Sequence, residues 1–489
     1  MKSHYDLIAI GAGSAGLGVA IAMKRLGFDV LIVDRTDHRI GGDCLNDGCV
    51  PSKALIHVSR LVHSARRVQP FGWKADGKTD LAAVMQYVRE RQDVIRTHEN
   101  ATHLRDAEGL DVELGAARFT GRQEIEIAGD DGLIQRVSAK NIVLCTGSKP
   151  QTLQAEGIDR VTVYTNENIF TLNELPERLL IVGAGPIGME MGQAFQRLGS
   201  QVTVVGSEDR IMSKELPEVS GLLQKRLTAE GVAFKLGCRV NAFSDANTAE
   251  VEHKDGSTEQ IPFDVILVAV GRTFHFDDLN LPAAGIDLND KGQIKLNDYL
   301  QTTNGHVFAA GDAAAGSPAG TRYFSHAAEL HVSTLINNFI TPGKVLDKKL
   351  SYDSFSWVTF TDPEVATFGL TEQDLKERKI SYERIDYDFG HDDRAIIEGY
   401  EYAKLILFTT PDGINPFGTK ILGGTMIAPN AGELSQELIL AVEQKLTAGA
   451  FFNKIYPYPT ASRVNKSVWV DHISDNLPGV AKKAVRWLY

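Results

Sequence analysis

The stretch Asp6-Leu7-Ile8-Ala9-Ile10-Gly11-Ala12-Gly13-Ser14-Ala15-Gly16 decides the fold. An apolar run of strand length stops on three glycines spaced G-x-G-x-x-G, and a helical stretch to Leu26 follows. A second strand, Val30 to Val33, ends in Asp34. This is the outline of a βαβ unit: Gly11 permits the tight turn, Gly13 lets backbone approach a diphosphate, and Gly16 permits close helix packing. The helix N-terminus supplies N–H donors and positive dipole to the anion. An acid at position 34 suits a ribose 2′-OH.

The same grammar returns at Arg178 to Val182, then Gly183-Ala184-Gly185-Pro186-Ile187-Gly188, a helix to Leu198 and a strand Gln201 to Val205. One such motif is weak evidence; two in strand–turn–helix context imply two dinucleotide sites. Gly11 precedes Asp34 by 23 positions, and Gly183 precedes Gly206 by the same 23. The second unit therefore lacks the acid and continues with Ser207, Glu208, Asp209 and Arg210. Two carboxylates near a 2′-phosphate would repel it, which favours NAD slightly, whereas Arg210 favours NADP; the choice stays open.

Further strands ending on small residues run from Ile142 to Ser148, from Val265 to Gly271, and from His306 to Asp312. After Leu350 the composition turns to strands with aromatic residues and a helical stretch from Glu433 to Leu446. The expected organisation is α/β: a first nucleotide domain over 1–152 and 276–350, a second nucleotide domain over 153–275, and a C-terminal α+β domain over 351–489. No low-complexity segment or solenoid repeat is evident.

The net charge of -12 argues against nucleic acid and against a polybasic membrane anchor. Apolar runs such as Val265 to Val270 are far shorter than the roughly 20 residues of a spanning helix. Met1 to Asp6 runs into a strand without an export signal's apolar region, so the expected location is cytoplasmic. Four cysteines, at 44, 49, 145 and 238, are too few for a disulfide-stabilised scaffold.

The block Gly41-Gly42-Asp43-Cys44-Leu45-Asn46-Asp47-Gly48-Cys49-Val50-Pro51-Ser52-Lys53 is the most specific in the chain. Cysteines five apart can meet on one distorted helical turn, and a helix N-terminus favours the thiolate. The competing reading is a metal half-site, but no Cys/His pair elsewhere has matching zinc spacing. A catalytic pair is the better account.

With this block, both fingerprints, Thr146-Gly147, Ala310-Gly311-Asp312 and Thr361-Asp362-Pro363-Glu364, nearly the full length resembles the flavoprotein disulfide reductases, which include dihydrolipoamide dehydrogenase, glutathione reductase and mercuric reductase. The resemblance implies FAD in the first nucleotide unit, with Asp34 on its adenosine ribose and Asp312 near the ribityl chain. Gly42, Thr146, Gly147 and Gly311 belong to the same cofactor site. NAD(P)H falls to the second unit, with Gly183, Gly185, Gly188, Ser207, Arg210 and Gly271. It further implies a Cys44–Cys49 disulfide, Cys49 against the flavin and Cys44 outermost, with Lys53 and Glu190 at the positions of an ion pair near the flavin N5. A homodimer is implied, the partner's C-terminal segment completing each site.

The pattern breaks at Tyr456-Pro457-Tyr458-Pro459-Thr460-Ala461-Ser462-Arg463. Dithiol-oxidising members have a histidine where Tyr458 stands and a glutamate where Arg463 stands. A tyrosine with an ordinary pKa of about 10 does not readily accept a thiol proton at neutral pH, and loss of a general base commonly costs about 10² to 10⁴ in rate. Tyrosine here resembles mercuric reductase, yet no cysteine follows Cys238 to relay a metal ion. The expected function is NAD(P)H:disulfide oxidoreduction of the dihydrolipoamide dehydrogenase type. The alternative is reduction of a metal ion, quinone or other non-thiol acceptor. A flavin-binding subunit with an idle disulfide is a third reading, against which intact Cys44, Cys49, Lys53 and Glu190 weigh. Asp43, Asp47 and His472 are the candidates for a replacement base, and Cys145 is expected to be a buried, inert thiol.

Overall fold

The computed structural model describes residues 2–75, 77–129, 131–341, 346–413 and 415–476. It divides into two compact units, one comprising Met1–Gly183, Ala194–Val205 and Cys238–Leu350, the other Ala184–Gln193, Gly206–Gly237 and Ser351–Tyr489.

The first unit is built on strand His4–Ile10, whose inner residues are almost all buried, as in a parallel strand covered on both faces. It pairs in parallel with Val30–Asp34 on one side and Ile134–Leu144 on the other. The sheet continues through Asp111–Leu114 beyond one edge and Glu124–Ala128 and Ala116–Phe119 beyond the other, while Val307–Ala309 joins in parallel at Ile142–Leu144. That last pairing returns a distant segment to the first nucleotide unit. Helix Ser14–Arg25 follows the glycine turn, burying Ala15, Leu17, Val19, Ala20 and Met23.

A second parallel layer in this unit orders Gln201–Gly206, Arg178–Val182, Val265–Val268 and Val163–Tyr164 as neighbours. Beside it lies an antiparallel sheet, Cys238–Asp245, Thr248–His253 and Thr258–Pro262. Leu180, Val205, Phe243, Val251, Phe263 and Ile266 form their shared core.

The second unit centres on five antiparallel strands in the order Ser356–Thr359, Glu364–Gly369, Ile421–Ala428, Lys404–Thr409, Glu383–Asp388. The edge strand Glu383–Asp388 alternates half-buried and exposed residues, whereas Glu364–Gly369 is buried throughout. Phe368, Leu405, Leu407 and Met426 pack with Leu438 and Trp469 of helices Gln436–Gln444 and Val464–Asn476.

Candidate active site

In the first unit the glycine fingerprint does what its spacing predicts. Gly11 has φ +103°, and a Cβ there would stand 2.4 Å from the Cys145 carbonyl oxygen. A Cβ on Gly16 would fall 1.8 Å from the Gly11 carbonyl oxygen. Gly42, at φ +59°, lies so close to Gly13 that its Cβ would be 2.7 Å from the Gly13 Cα. The phosphate-type loop and the cysteine block are thus in backbone contact, and only glycines allow it. No side chain caps the helix Ser14–Arg25 at Gly13, so its first N–H groups remain available to an anion. Asp34 Oδ2 accepts the Ala12 N–H at 2.6 Å and its Oδ1 accepts the Arg35 N–H at 2.7 Å, holding the carboxylate at the loop. This cradle fits a dinucleotide.

Thr146 is exposed at the end of its strand, and Gly147 takes φ +70°. Gly311, at φ +65°, packs on Ala15, which brings Asp312 to the same region. The Gly311 N–H donates to Nδ1 of His331 at 3.0 Å. Burial pushes the His331 imidazole down to about 4, so it is neutral at pH 7 and accepts this bond through an unprotonated Nδ1. An unfolded imidazole gains its proton near pH 6.5, the folded one only near 4. Between those values the unfolded chain holds the extra proton. Stability is therefore full above about pH 6.5 and falls by about 3 kcal/mol as the pH drops toward 4. Urea titrations from pH 4 to 7 should show this slope in the native protein and a flatter one in His331→Leu.

The cysteine block forms two short segments rather than one distorted turn. Cys44 sits in helix Gly42–Asn46, and Cys49 opens the separate helix Cys49–Arg67, with the break at Asp47 and Gly48. A Cβ on Gly48 would stand 2.9 Å from the Asp43 carbonyl oxygen, which explains the glycine at the break. Asn46, buried, donates to the carbonyls of Gly42 at 2.8 Å and Ile40 at 3.3 Å, and its Oδ1 accepts from Arg96 at 3.0 Å. Gln92 donates to the Leu45 and Asn46 carbonyls, both at 2.9 Å. These bonds fix the Cys44 segment.

Both residues are thiols in this structure. The Cys44 thiol is pushed well up, first by its hydrogen bond to the Cys49 sulfur, then by burial and by the Cys49 charge; Ser325 opposes the shift and Glu99 adds to it. Cys44 thus holds its proton, while Cys49 stands at the N-terminus of a 19-residue helix, a place that favours a thiolate. Lys53 lies one turn further along that helix.

Each aspartate of the block faces an arginine. Asp43 Oδ2 accepts from Arg272 at 2.5 Å, and Asp47 Oδ2 lies 2.7 Å from Arg39. Burial nonetheless pushes the Asp47 carboxyl up to about 6 against the pull of Arg39. Arg272 also donates to Ser148 Oγ at 2.5 Å and lies 3.2 Å from Asp312, to which Ser148 itself donates at 2.5 Å. Burial raises the Asp312 carboxyl and Arg272 lowers it. Arg272, Ser148 and Glu99 are site residues that sequence reading missed; the one local signal was an arginine directly after Gly271. Gly271 itself takes φ +140°.

Gly183 repeats the role of Gly11: at φ +123°, its Cβ would meet the Ala269 carbonyl oxygen at 2.3 Å. In the second unit nothing lies within 4 Å of a Cβ on Gly185, and Gly188 lies in helix Pro186–Leu198. Gly206, in place of the acid, packs on Ala184, where a Cβ would come within 2.8 Å of the Ala184 Cβ. Ser207 is exposed, and Arg210 donates to the carbonyl of Ser213 in its own loop. Glu190 is buried and accepts the Phe360 N–H at 2.9 Å.

Tyr458, 66% exposed, donates to Asp393 at 3.1 Å, and this bond raises its hydroxyl further from neutrality. Arg463 covers its ring at 5.3 Å. His472 is buried with its Nε2 3.0 Å from Asp412 Oδ2, and Glu383 lies beside them. Cys145 is a buried thiol raised by burial, as expected, while Cys238 finds a partner in His253 at 3.2 Å.

A loop made for a diphosphate, a second one like it, and a sulfur pair at a helix N-terminus define a dinucleotide-dependent thiol-redox protein. Residues 5–330 match the family described as pyridine nucleotide-disulphide oxidoreductase, and residues 355–468 match its dimerisation domain. The mercuric reductase of Lysinibacillus sphaericus is 30% identical over 480 residues, covering 96% of this chain and 84% of that protein. Dihydrolipoyl dehydrogenase 3 of Pseudomonas putida is 32% identical over 470 residues, covering 94% and 96%. The HOCl-induced flavoprotein disulfide reductase RclA of Escherichia coli, solved as a Cu(II) complex, superposes with a TM-score of 0.81 at 22% identity, covering 96% of this chain and 99% of that one. The chain belongs to the pyridine nucleotide-disulphide oxidoreductases: it is an enzyme with FAD and NAD(P) sites, each on a Rossmann-like domain, and a distinct C-terminal dimerisation domain. No helix among the described residues is long and apolar enough to cross a membrane.

Proposed function

We propose that the enzyme is an NAD(P)H:disulfide oxidoreductase whose electrons leave through the Cys44–Cys49 pair. The observation that carries this is the cysteine couple itself: one thiol donating to a neighbouring sulfur that begins a long helix. Bound FAD supplies the two-electron carrier between nicotinamide and sulfur. Cys49 holds the thiolate beside the cofactor cradle. Cys44 is the sulfur that attacks an acceptor disulfide, forming a mixed disulfide that Cys49 resolves as the acceptor leaves as a dithiol. Lys53 places positive charge one turn from Cys49, and Glu190 is the carboxylate assigned to the charge-stabilising role. Asp34 would hold the adenosine ribose of FAD, and Asp312 would serve its ribityl chain.

NADH is the favoured donor, because Arg210 is engaged with its own loop. The homodimer places the partner's C-terminal segment over each cysteine pair. The compartment is cytoplasmic.

A second reading has support in Tyr458. Its hydroxyl donates to Asp393 and takes no proton from a substrate thiol, which suits acceptors such as a metal ion or quinone. Steady-state assays with lipoamide, Hg(II), Cu(II) and quinones separate the two. The proposal expects NADH-driven reduction of the disulfide to exceed oxidation of the dithiol at pH 7. Metal or quinone reduction outrunning disulfide reduction would transfer the function to the second reading.

A further inference from the structure

Three segments that lie far apart in the sequence meet on the Arg272 guanidinium. Arg272 follows Gly271 and opens the short strand Arg272–Thr273, which pairs antiparallel with Lys149–Pro150. Its side chain, only 13% exposed, donates through Nη2 to Asp43 Oδ2 at 2.5 Å and to the Ser148 carbonyl at 3.1 Å. Its Nε donates to Ser148 Oγ at 2.5 Å and lies 3.2 Å from Asp312 Oδ2. Asp43 directly precedes Cys44 in helix Gly42–Asn46. One planar fork therefore ties the helix of Cys44 to the carboxylate at the cofactor cradle.

We propose that Arg272 is a positioning residue for Cys44 that acts through Asp43: it fixes the Cys44 helix against the cradle and cancels the carboxylate next to the sulfur. The two carboxylates, Asp43 and Asp312, share this guanidinium, so one net negative charge stays in the cluster. Loss of Arg272 alone would leave two, and like charge disfavours a thiolate. Loss of Asp43 alone would leave none. Loss of both returns the balance to one, although every bond of the fork is gone.

The other charged groups near Cys44 stay the same in each of these cases. Glu99 lies with its carboxyl against Gly41, Asp47 is paired with Arg39, and Lys53 is on the helix that starts at Cys49. Tyr323, raised by burial and by the Asp312 charge, is on the far side of that carboxylate from the helix only in sequence, and its hydroxyl stays neutral at pH 7.

Cys44 as the attacking sulfur rests on the function proposed above; the charge balance does not. The test uses a Cys49→Ser background, which removes the sulfur with the largest effect on the Cys44 thiol, kept reduced by a phosphine with no nicotinamide. Iodoacetamide alkylation of Cys44 is followed by peptide mass from pH 6 to 10. The high-pH plateau reports access to the sulfur and the midpoint reports its charge. Arg272→Met is expected to raise the midpoint by about one unit and to slow alkylation at pH 7 about tenfold. Asp43→Asn breaks the same ion pair yet is expected to lower the midpoint by about half a unit, and the double variant to return to the parent midpoint. An arginine that only packs would make both single variants move alike. Midpoints shifted in the same direction by the two single variants, or coincident for Arg272→Met and the double variant, would overturn the proposal. Should Arg272→Met not fold, Asp43→Asn decides alone: a lowered midpoint supports the proposal, and an unchanged or raised one overturns it. Failure of NADH to reduce the native pair would instead sink the function proposed above and leave this result standing.

Discussion

Cys49→Ser is expected to lower NADH-driven turnover of a disulfide acceptor by about 10³-fold or more, and Cys44→Ser by a similar factor. A hydroxyl can neither carry the helix-stabilised charge at neutral pH nor form a mixed disulfide, so the covalent route is lost rather than slowed. Residues that act as one unit are not additive, and the double variant should be no worse than either single one. Ferricyanide, which takes electrons singly and needs no thiol, is the control. Its reduction by NADH should persist in all three variants, and a parallel loss would mean that cofactor binding, not sulfur chemistry, had failed.

Gly11→Ala is expected to have the next largest effect. The new Cβ faces the Cys145 carbonyl oxygen at 2.4 Å from a backbone at φ +103°, so clash and left-handed strain add. Together they cost about 3 kcal/mol or more and displace the loop that holds the diphosphate. The protein should be purified without visible flavin absorbance and melt earlier than the native enzyme. Gly27→Ala separates the two contributions: its φ is +91°, but nothing lies within 4 Å of the added carbon. It should cost about 1 kcal/mol and keep the flavin.

These two substitutions fall on the part of the molecule that was legible in the sequence. Gly11, Gly16 and Gly183 are needed because of local geometry, and local geometry leaves a spacing behind. Strand runs such as Arg178–Val182 were legible for the same reason: burial on both faces demands a continuous apolar stretch. The cysteine block was legible in composition but not in shape. Where a single distorted turn was expected, Gly48 lets the chain start a new helix at Cys49.

Residues that become important only through long-range contact left little trace. Arg272 meets Ser148 because Arg272–Thr273 pairs antiparallel with Lys149–Pro150, it meets Asp312 because Val307–Ala309 returns beside Ile142–Leu144, and it meets Asp43 from the cysteine block. Asp43 and Asp47 were read as carboxylates flanking a thiol, and their pairing with Arg272 and Arg39 left no trace in the sequence. Tyr458 was read as unsuited to take a proton, and the bond its hydroxyl gives to Asp393 was not legible in the sequence.

The most direct test of the account counts sulfurs. The oxidised enzyme is treated anaerobically with one equivalent of NADH, quenched with an alkylating agent under denaturing conditions, and its peptides are weighed. Cys44 and Cys49 should both be alkylated after NADH and both protected before it, while Cys145 and Cys238 are labelled equally in either state. Equal labelling of Cys44 and Cys49 with and without NADH would contradict the claim that electrons leave the enzyme through this pair.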